Sequence, residues 1–177
     1  MRKLITVAMS LLAMTALLGF AAGGAGAAGK GHMKVSGLDE QWLMAALEGD
    51  LFEVKGGKLA QQQSQNSAVK QLGERLNSDH SESYANGSRL AKKLGVEVPT
   101  EPTYPEKWEL QTVGEMTGSA FDKGYTSLER LDHKQDIEDA KEELEDGSNA
   151  KVKALARMDL KMYREHLALV VKTEQQL

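Results

Sequence analysis

Residues 66–95 read NSAVKQLGERLNSDHSESYANGSRLAKKLG. Within them Val69, Gly73, Leu76, His80, Ser83, Gly87, Leu90 and Leu94 alternate at spacings of four and three. That period keeps one line of side chains on one face of an α-helix and turns it toward a core. Asn66 or Ser67 can cap the first free backbone N–H groups, and Gly95 followed by Pro99 ends the helix. His80 stands in the middle of the line, with the small residues Gly73, Ser83 and Gly87 nearby. Small neighbours leave space beside an imidazole.

Residues 38–64 contain no proline, and Leu43, Leu47, Leu51 and Val54 recur at helical spacing. Residues 95–118 hold all three prolines and read as a long connection, with a short helix near 107–116. Ser119 with Asp122 resembles a capping box that opens a third long helix, which ends at EDGSN, residues 145–149. Ser148 or Asn149 caps a fourth that runs to the C-terminus. Helices of about 25 residues are rods of roughly 38 Å at 1.5 Å per residue. The first–second and third–fourth turns are tight, so each pair forms an antiparallel hairpin, while the middle connection can run the full length. The expectation is all-α: a ferritin-like four-helix bundle with one long crossover between helices two and three. An up-down bundle with an ordered side loop is the alternative.

The chain begins with Arg2 and Lys3, an apolar run, and a Gly/Ala-rich exit. This is the pattern of a secretory signal peptide over residues 1–28, with cleavage near Ala27 or Ala28; a retained anchor is the alternative. The expected product is a periplasmic or secreted domain, residues 29–177, with no stable membrane insertion. Loss of Arg2 and Lys3 takes the basic residues from 22 to 20 against 26 acidic ones, a net charge of −6. An acidic domain without a basic block is a poor partner for nucleic acid. The absence of cysteine excludes disulfides, Fe–S clusters and thiol catalysis. No Ser/His/Asp pattern, phosphate loop or pair of catalytic carboxylates stands out, so nothing argues for a nucleophilic enzyme, and no organic cofactor is expected.

Three histidines define the candidate site. In the fourth helix Val152, Leu155, Asp159, Met162, His166, Leu169 and Thr173 repeat the four-three spacing. Buried Asp159 and His166 need partners, because an unpartnered buried polar group costs about 1–3 kcal/mol. In the third helix Phe121, Tyr125, Leu128 and Leu131 share one face, whereas His133, Ile137, Ala140 and Leu144 share another. The buried face therefore swaps near Asp132, or a bulge shifts the register, and His133 turns inward. The first helix offers Glu53 on a line of small or aromatic residues through Trp42, Ala46, Gly49, Gly56 and Ala60. Counted from the two tight turns, Glu53, His80, His133 and His166 fall within roughly 6–9 Å of one another along the axis at helical rise. One carboxylate and three imidazoles converging at mid-depth suit a transition metal such as Zn, Cu or Fe. Asp79 and Asp132 point about 100° away from the histidine that follows each, and are expected to face water or another helix. The competing reading makes the histidines core residues, bonded to Glu53, Asp159, Tyr84 or Tyr163. A ferritin-type di-iron centre requires Glu-x-x-His, but Asn77, Arg130 and Tyr163 occupy the positions three before the histidines.

The segments EGDLFEVKGGKLAQQQSQNSAVKQLGERLNSDHSES, LAKKLGVEVP, FDKGYTSLERLDHKQDI and YREHLALV resemble the domain-of-unknown-function 4142 family of secreted bacterial proteins. The resemblance implies a ferritin-like helical bundle. It also implies that Glu53, Asp79, His80, Phe121, Asp122, Tyr125, His133 and His166 sit on family motif positions. Family members often carry a proline before His166, and the MDLKMY segment has none. No established reaction comes with the family. The function expected is metal binding at Glu53, His80, His133 and His166, linked to stress protection. The alternative is a non-catalytic envelope interaction or stress protein with structural histidines and a protein partner.

Overall fold

The computed structural model describes residues 35–177; the expected signal peptide lies outside the described residues. The described chain is all helical: α1 (Gly37–Gln63), α2 (Ser67–Leu94), a short α3 (Tyr104–Gly114), α4 (Gly118–Asp146) and α5 (Ala150–Glu174). None of these helices is long and apolar enough to cross a membrane.

Local signals account for the helix ends. Ser36 and Asp39 form a capping box at the start of α1, and Thr103 with Glu106 forms one at the start of α3. Asn66 and Asn149 each accept from two backbone N–H groups and cap α2 and α5. Gly95 ends α2 in the left-handed region at φ 76°, where a side chain would strain the backbone. The start of α4 differs from expectation. Thr117 is its N-cap, without a side-chain bond, and Gly118 at φ 57° turns the chain into the helix. Asp122 makes no capping box with Ser119; it accepts a hydrogen bond from the Ser64 hydroxyl at the end of α1.

Pairs of bonds fix the helix directions. Asp39, early in α1, accepts from the backbone N–H groups of Ser148 at 2.9 Å and Asn149 at 2.8 Å, beyond the end of α4. Ser64, after α1, bonds Asp122 near the start of α4, so α1 and α4 run antiparallel. Asp79 meets His166 and Ser83 meets Asp159, so α2 and α5 also run antiparallel. With α1–α2 and α4–α5 as hairpins, α2 and α4 point the same way. Residues 95–117 therefore return the chain from one end of the helices to the other.

The α1–α2 hairpin closes on glycine. A Cβ on Gly57 would lie 2.4 Å from the Gly73 carbonyl oxygen, and one on Gly73 would lie 2.7 Å from the Ala60 Cβ. Asn77 Nδ2 donates to the Val54 carbonyl at 2.7 Å across the same contact.

Two apolar clusters fill the interior. One gathers Leu43, Leu47, Ala91, Val152, Leu155 and Ala156. The other gathers Ala60, Val69, Leu76, Phe121, Tyr125 and Val170. Between them, near the midpoint of every long helix, lies a layer of buried polar side chains: Asp50, Glu53, His80, Glu129, His133, Asp159 and His166. Burying polar groups costs free energy that apolar residues at the same positions would not incur, so this layer is the candidate for a site.

Candidate metal centre

His80 of α2, His133 of α4 and His166 of α5 are all buried, and one nitrogen from each lies within 4.8 Å of the others. α4 is one unbroken helix with no change of register at Asp132. Its buried line runs through Phe121, Tyr125, Glu129, His133, Ile137 and Ala140. The expected face swap does not occur, because Glu129 continues the line where apolarity alone points to Leu128 and Leu131; Leu131 is 61% exposed.

The second nitrogen of His133 and of His166 fixes the protonation pattern of the ring. His133 Nδ1 lies 2.9 Å from the Glu129 carbonyl oxygen, which can only accept, so the ring proton is on Nδ1 and Nε2 carries a lone pair. His166 Nε2 lies 2.9 Å from Asp79 Oδ2 and donates to it, which leaves the lone pair on Nδ1. Burial works against an ionised Asp79, but the bonds from His166 and Arg75 outweigh it and hold the carboxyl below its ordinary range. His80 Nδ1 lies 2.8 Å from Asp50 Oδ1, which turns Nε2 toward the other rings.

The three rings therefore turn a nitrogen toward one another, with lone pairs on His133 Nε2 and His166 Nδ1. His133 Nε2 and His166 Nδ1 are 3.2 Å apart, and so are His166 Nδ1 and His80 Nε2. The N–H groups of His133 and His166 are committed to the Glu129 carbonyl and to Asp79, so neither ring has a proton to place between His133 Nε2 and His166 Nδ1. Burial pushes the imidazolium forms down, to about 3 for His80 and about 4 for His166, and well below the ordinary value for His133. A tetrahedral metal with bonds of about 2.0–2.1 Å places neighbouring nitrogens about 3.3 Å apart. The two 3.2 Å spacings around His166 Nδ1 match that distance.

Glu53 lies on the far side of His133. Its Oε1 is 3.4 Å from His133 Nδ1, and Glu129 Oε2 is 3.9 Å from the same nitrogen. Glu53, Glu129 and His133 form a second potential ligand group that shares His133 with the first. Burial, then the charges of Glu129 and Asp132, push the Glu53 carboxyl well up; burial likewise raises Glu129. Tyr163 stacks on His80, with ring centroids 6.1 Å apart, and closes one side of the imidazole cluster.

The sequence-predicted residues are thus all buried at one level. His80, His133 and His166 come together, while Glu53 approaches His133 from behind. Asp79 faces another helix, as expected, and serves the ring of α5 and not that of its neighbour His80. Asp159 accepts from Ser83 at 3.4 Å, and with the half-buried Met162 it lines a cleft beside Asp79 instead of joining the imidazoles. Tyr84 does not bond a histidine; its hydroxyl donates to the Pro99 carbonyl. Two residues escape sequence reasoning. Asp50 lies three positions before Glu53 and thirty before His80, and Glu129 is a carboxylate on a line sought by apolarity. The i to i+4 spacing of Glu129 and His133 is the available signal.

Fold and site together define an all-α helical-bundle protein whose core is interrupted by a histidine–carboxylate layer able to hold a metal ion. The chain belongs to the family described as domain of unknown function (DUF4142), which matches residues 25–172. Among solved structures it is similar to the crystal structure of a DUF305 fragment from Deinococcus radiodurans. The TM-score is 0.72 at 14% identity, over 81% of this chain and 99% of that one. At that identity the likeness concerns the fold alone. No curated protein matches the chain.

Proposed function

We propose that the protein binds a transition metal ion, Zn, Cu or Fe, through His80, His133 and His166, with Glu53 supporting His133. One observation carries the reading: lone-pair nitrogens 3.2 Å apart, with their N–H groups directed to Asp79 and the Glu129 carbonyl. Acids and carbonyls behind ligating imidazoles set the tautomer and raise ligand basicity. The frame that carries them is proposed to be a ferritin-like four-helix bundle of α1, α2, α4 and α5, with residues 95–117 as its crossover. The opposed directions of α1 with α4 and of α2 with α5 support it. The basic-apolar-small pattern of residues 1–28 supports export to the periplasm. In that compartment a buried site without a nucleophile suits metal holding under stress better than catalysis.

Metal analysis of untagged protein tests the proposal. Reconstitution is expected to give about one equivalent of metal per chain, lost in His80→Ala. Uptake below about 0.2 equivalents, unaltered by the substitution, would favour structural histidines in an envelope interaction protein.

A further inference from the structure

On the opposite side of His133 from the imidazole cluster, both carboxyl oxygens of Glu53, both of Glu129, Oδ2 of Asp132 and the Tyr125 hydroxyl are buried against one another, with no hydrogen-bond partner outside their own group. Glu53, Glu129 and Tyr125 are fully buried, and the phenol faces both glutamates. Among the described residues no lysine or arginine pairs with these carboxylates; their nearest ion-pair partner is His133 Nδ1, whose proton goes to a backbone carbonyl. Gly56 leaves the room they need, since a Cβ there would come within 3.2 Å of Glu129 Oε1. Asp132 also lines a solvent-facing cleft of about 140 Å³ together with Glu106, Asp136 and Asp139. An acidic cleft thus adjoins, at Asp132, a buried group of oxygens with no cationic side chain among them.

We infer that Glu53, Glu129 and Asp132, with the Tyr125 hydroxyl beside them, form a second cation site, distinct from the imidazole cluster, that takes a divalent ion of the oxygen-preferring class. Carboxylate and hydroxyl donors suit Mn, Mg or Ca, whereas three imidazoles suit Zn or Cu. The two sites share His133 as a wall, and each can fill while the other is empty. The cation approaches through the cleft at Asp132, where the acidic rim raises its local concentration.

Metal-stripped protein titrated with Mn2+, read by electron paramagnetic resonance, and with Co2+, read by visible absorption, tests the inference in three forms. Wild type is expected to bind Mn2+ with a stoichiometry near one. Glu129→Gln weakens Mn2+ by at least about tenfold and keeps the Co2+ bands; His166→Ala does the reverse. No Mn2+ uptake at millimolar concentration, or uptake unchanged by Glu129→Gln, overturns the second site. Co2+ bands that survive His166→Ala overturn the imidazole site alone. Should Glu129→Gln fail to fold by circular dichroism, Glu53→Gln supplies the same readout: weakened Mn2+ supports the second site, and unchanged Mn2+ overturns it.

Discussion

Asp79 and His166, 87 residues apart in the chain, are joined by a 2.9 Å hydrogen bond between α2 and α5. The Asp-His dipeptide at 79–80 therefore supplies one ring and orients another. His80 projects inward from its own helix, while Asp79 reaches sideways and sets the tautomer of His166. Arg75 bonds the same carboxylate oxygen and keeps it ionised. The nitrogen that His166 turns toward His80 and His133 is thus decided by a residue outside the imidazole cluster.

Asp79→Ala tests that relationship. The ring of His166 loses the acceptor for its Nε2–H and becomes free to exchange tautomers and to rotate. Affinity for Zn2+ or Co2+ is expected to fall about 10–100-fold, the usual effect of removing a partner behind a ligating histidine. Melting of the metal-free protein should change by only a few degrees, because Asp79 is half-buried at the edge of the layer. Isothermal titration of both forms reads the result, and an unchanged affinity would sink the orienting role.

The glycine contact between α1 and α2 predicts a second, purely structural effect. Gly57→Ala places a methyl group 2.4 Å from the Gly73 carbonyl oxygen and 2.9 Å from the backbone of Asn77. Backbone cannot yield as a flexible side chain can, so the helices must separate. The expected loss is about 1–3 kcal/mol despite alanine's better helix propensity. Urea denaturation measures it. Gly49→Ala, with nothing within 4 Å of the added methyl, is the control and should be neutral or stabilising.

How far this architecture is legible in the sequence depends on which signal each residue carries. The seam through Val69, Leu76, His80 and Gly87 is legible because α2 obeys one period from end to end. α4 is not, because its inward line passes through Glu129, and apolarity sends the eye to Leu128 and Leu131 instead. The depth of Glu53, His80, His133 and His166 follows from counting residues from tight turns, which helical rise makes dependable. Asp50 is invisible for a different reason. Nothing in its neighbourhood distinguishes an acid that meets a ring thirty residues later from one on a solvated face.

Asp39 ties three segments at one end of the molecule. It caps α1 through Ser36 and accepts from the backbone of Ser148 and Asn149 and from the Ser148 hydroxyl at 2.7 Å. Asp39→Ala leaves the N–H groups of Ser148 and of buried Asn149 without their acceptor and removes one cap. A loss of about 2–4 kcal/mol is expected in urea denaturation. Loss below about 0.5 kcal/mol would mean that water replaces the carboxylate there.

Glu143, buried beside Asp39, gives the molecule a pH dependence of opposite sign. Burial, then the Asp39 charge on α1, push its carboxyl from 4.5 to about 7, with Lys153 of α5 pulling weakly the other way. A carboxyl raised in the folded state binds a proton there at pH values where the unfolded chain has released it. Stability from this group is therefore full below about pH 4.5 and is lost as pH rises through about 7. Asp39 is held below its ordinary range because its hydrogen bonds outweigh burial, so its own contribution is lost only on acidification, outside this window. Glu143→Gln keeps the shape and removes the titration. The variant is expected to be more stable than wild type at pH 8 and to match it near pH 4.5. The gain at pH 8 is on the order of 1–2 kcal/mol, less than the full shift implies, because solvent at this end of the helices screens the charge. Metal-free melting curves at the two pH values separate the outcomes. Equal gains at both would assign the effect to packing, and no gain at pH 8 would show that Glu143 ionises without penalty.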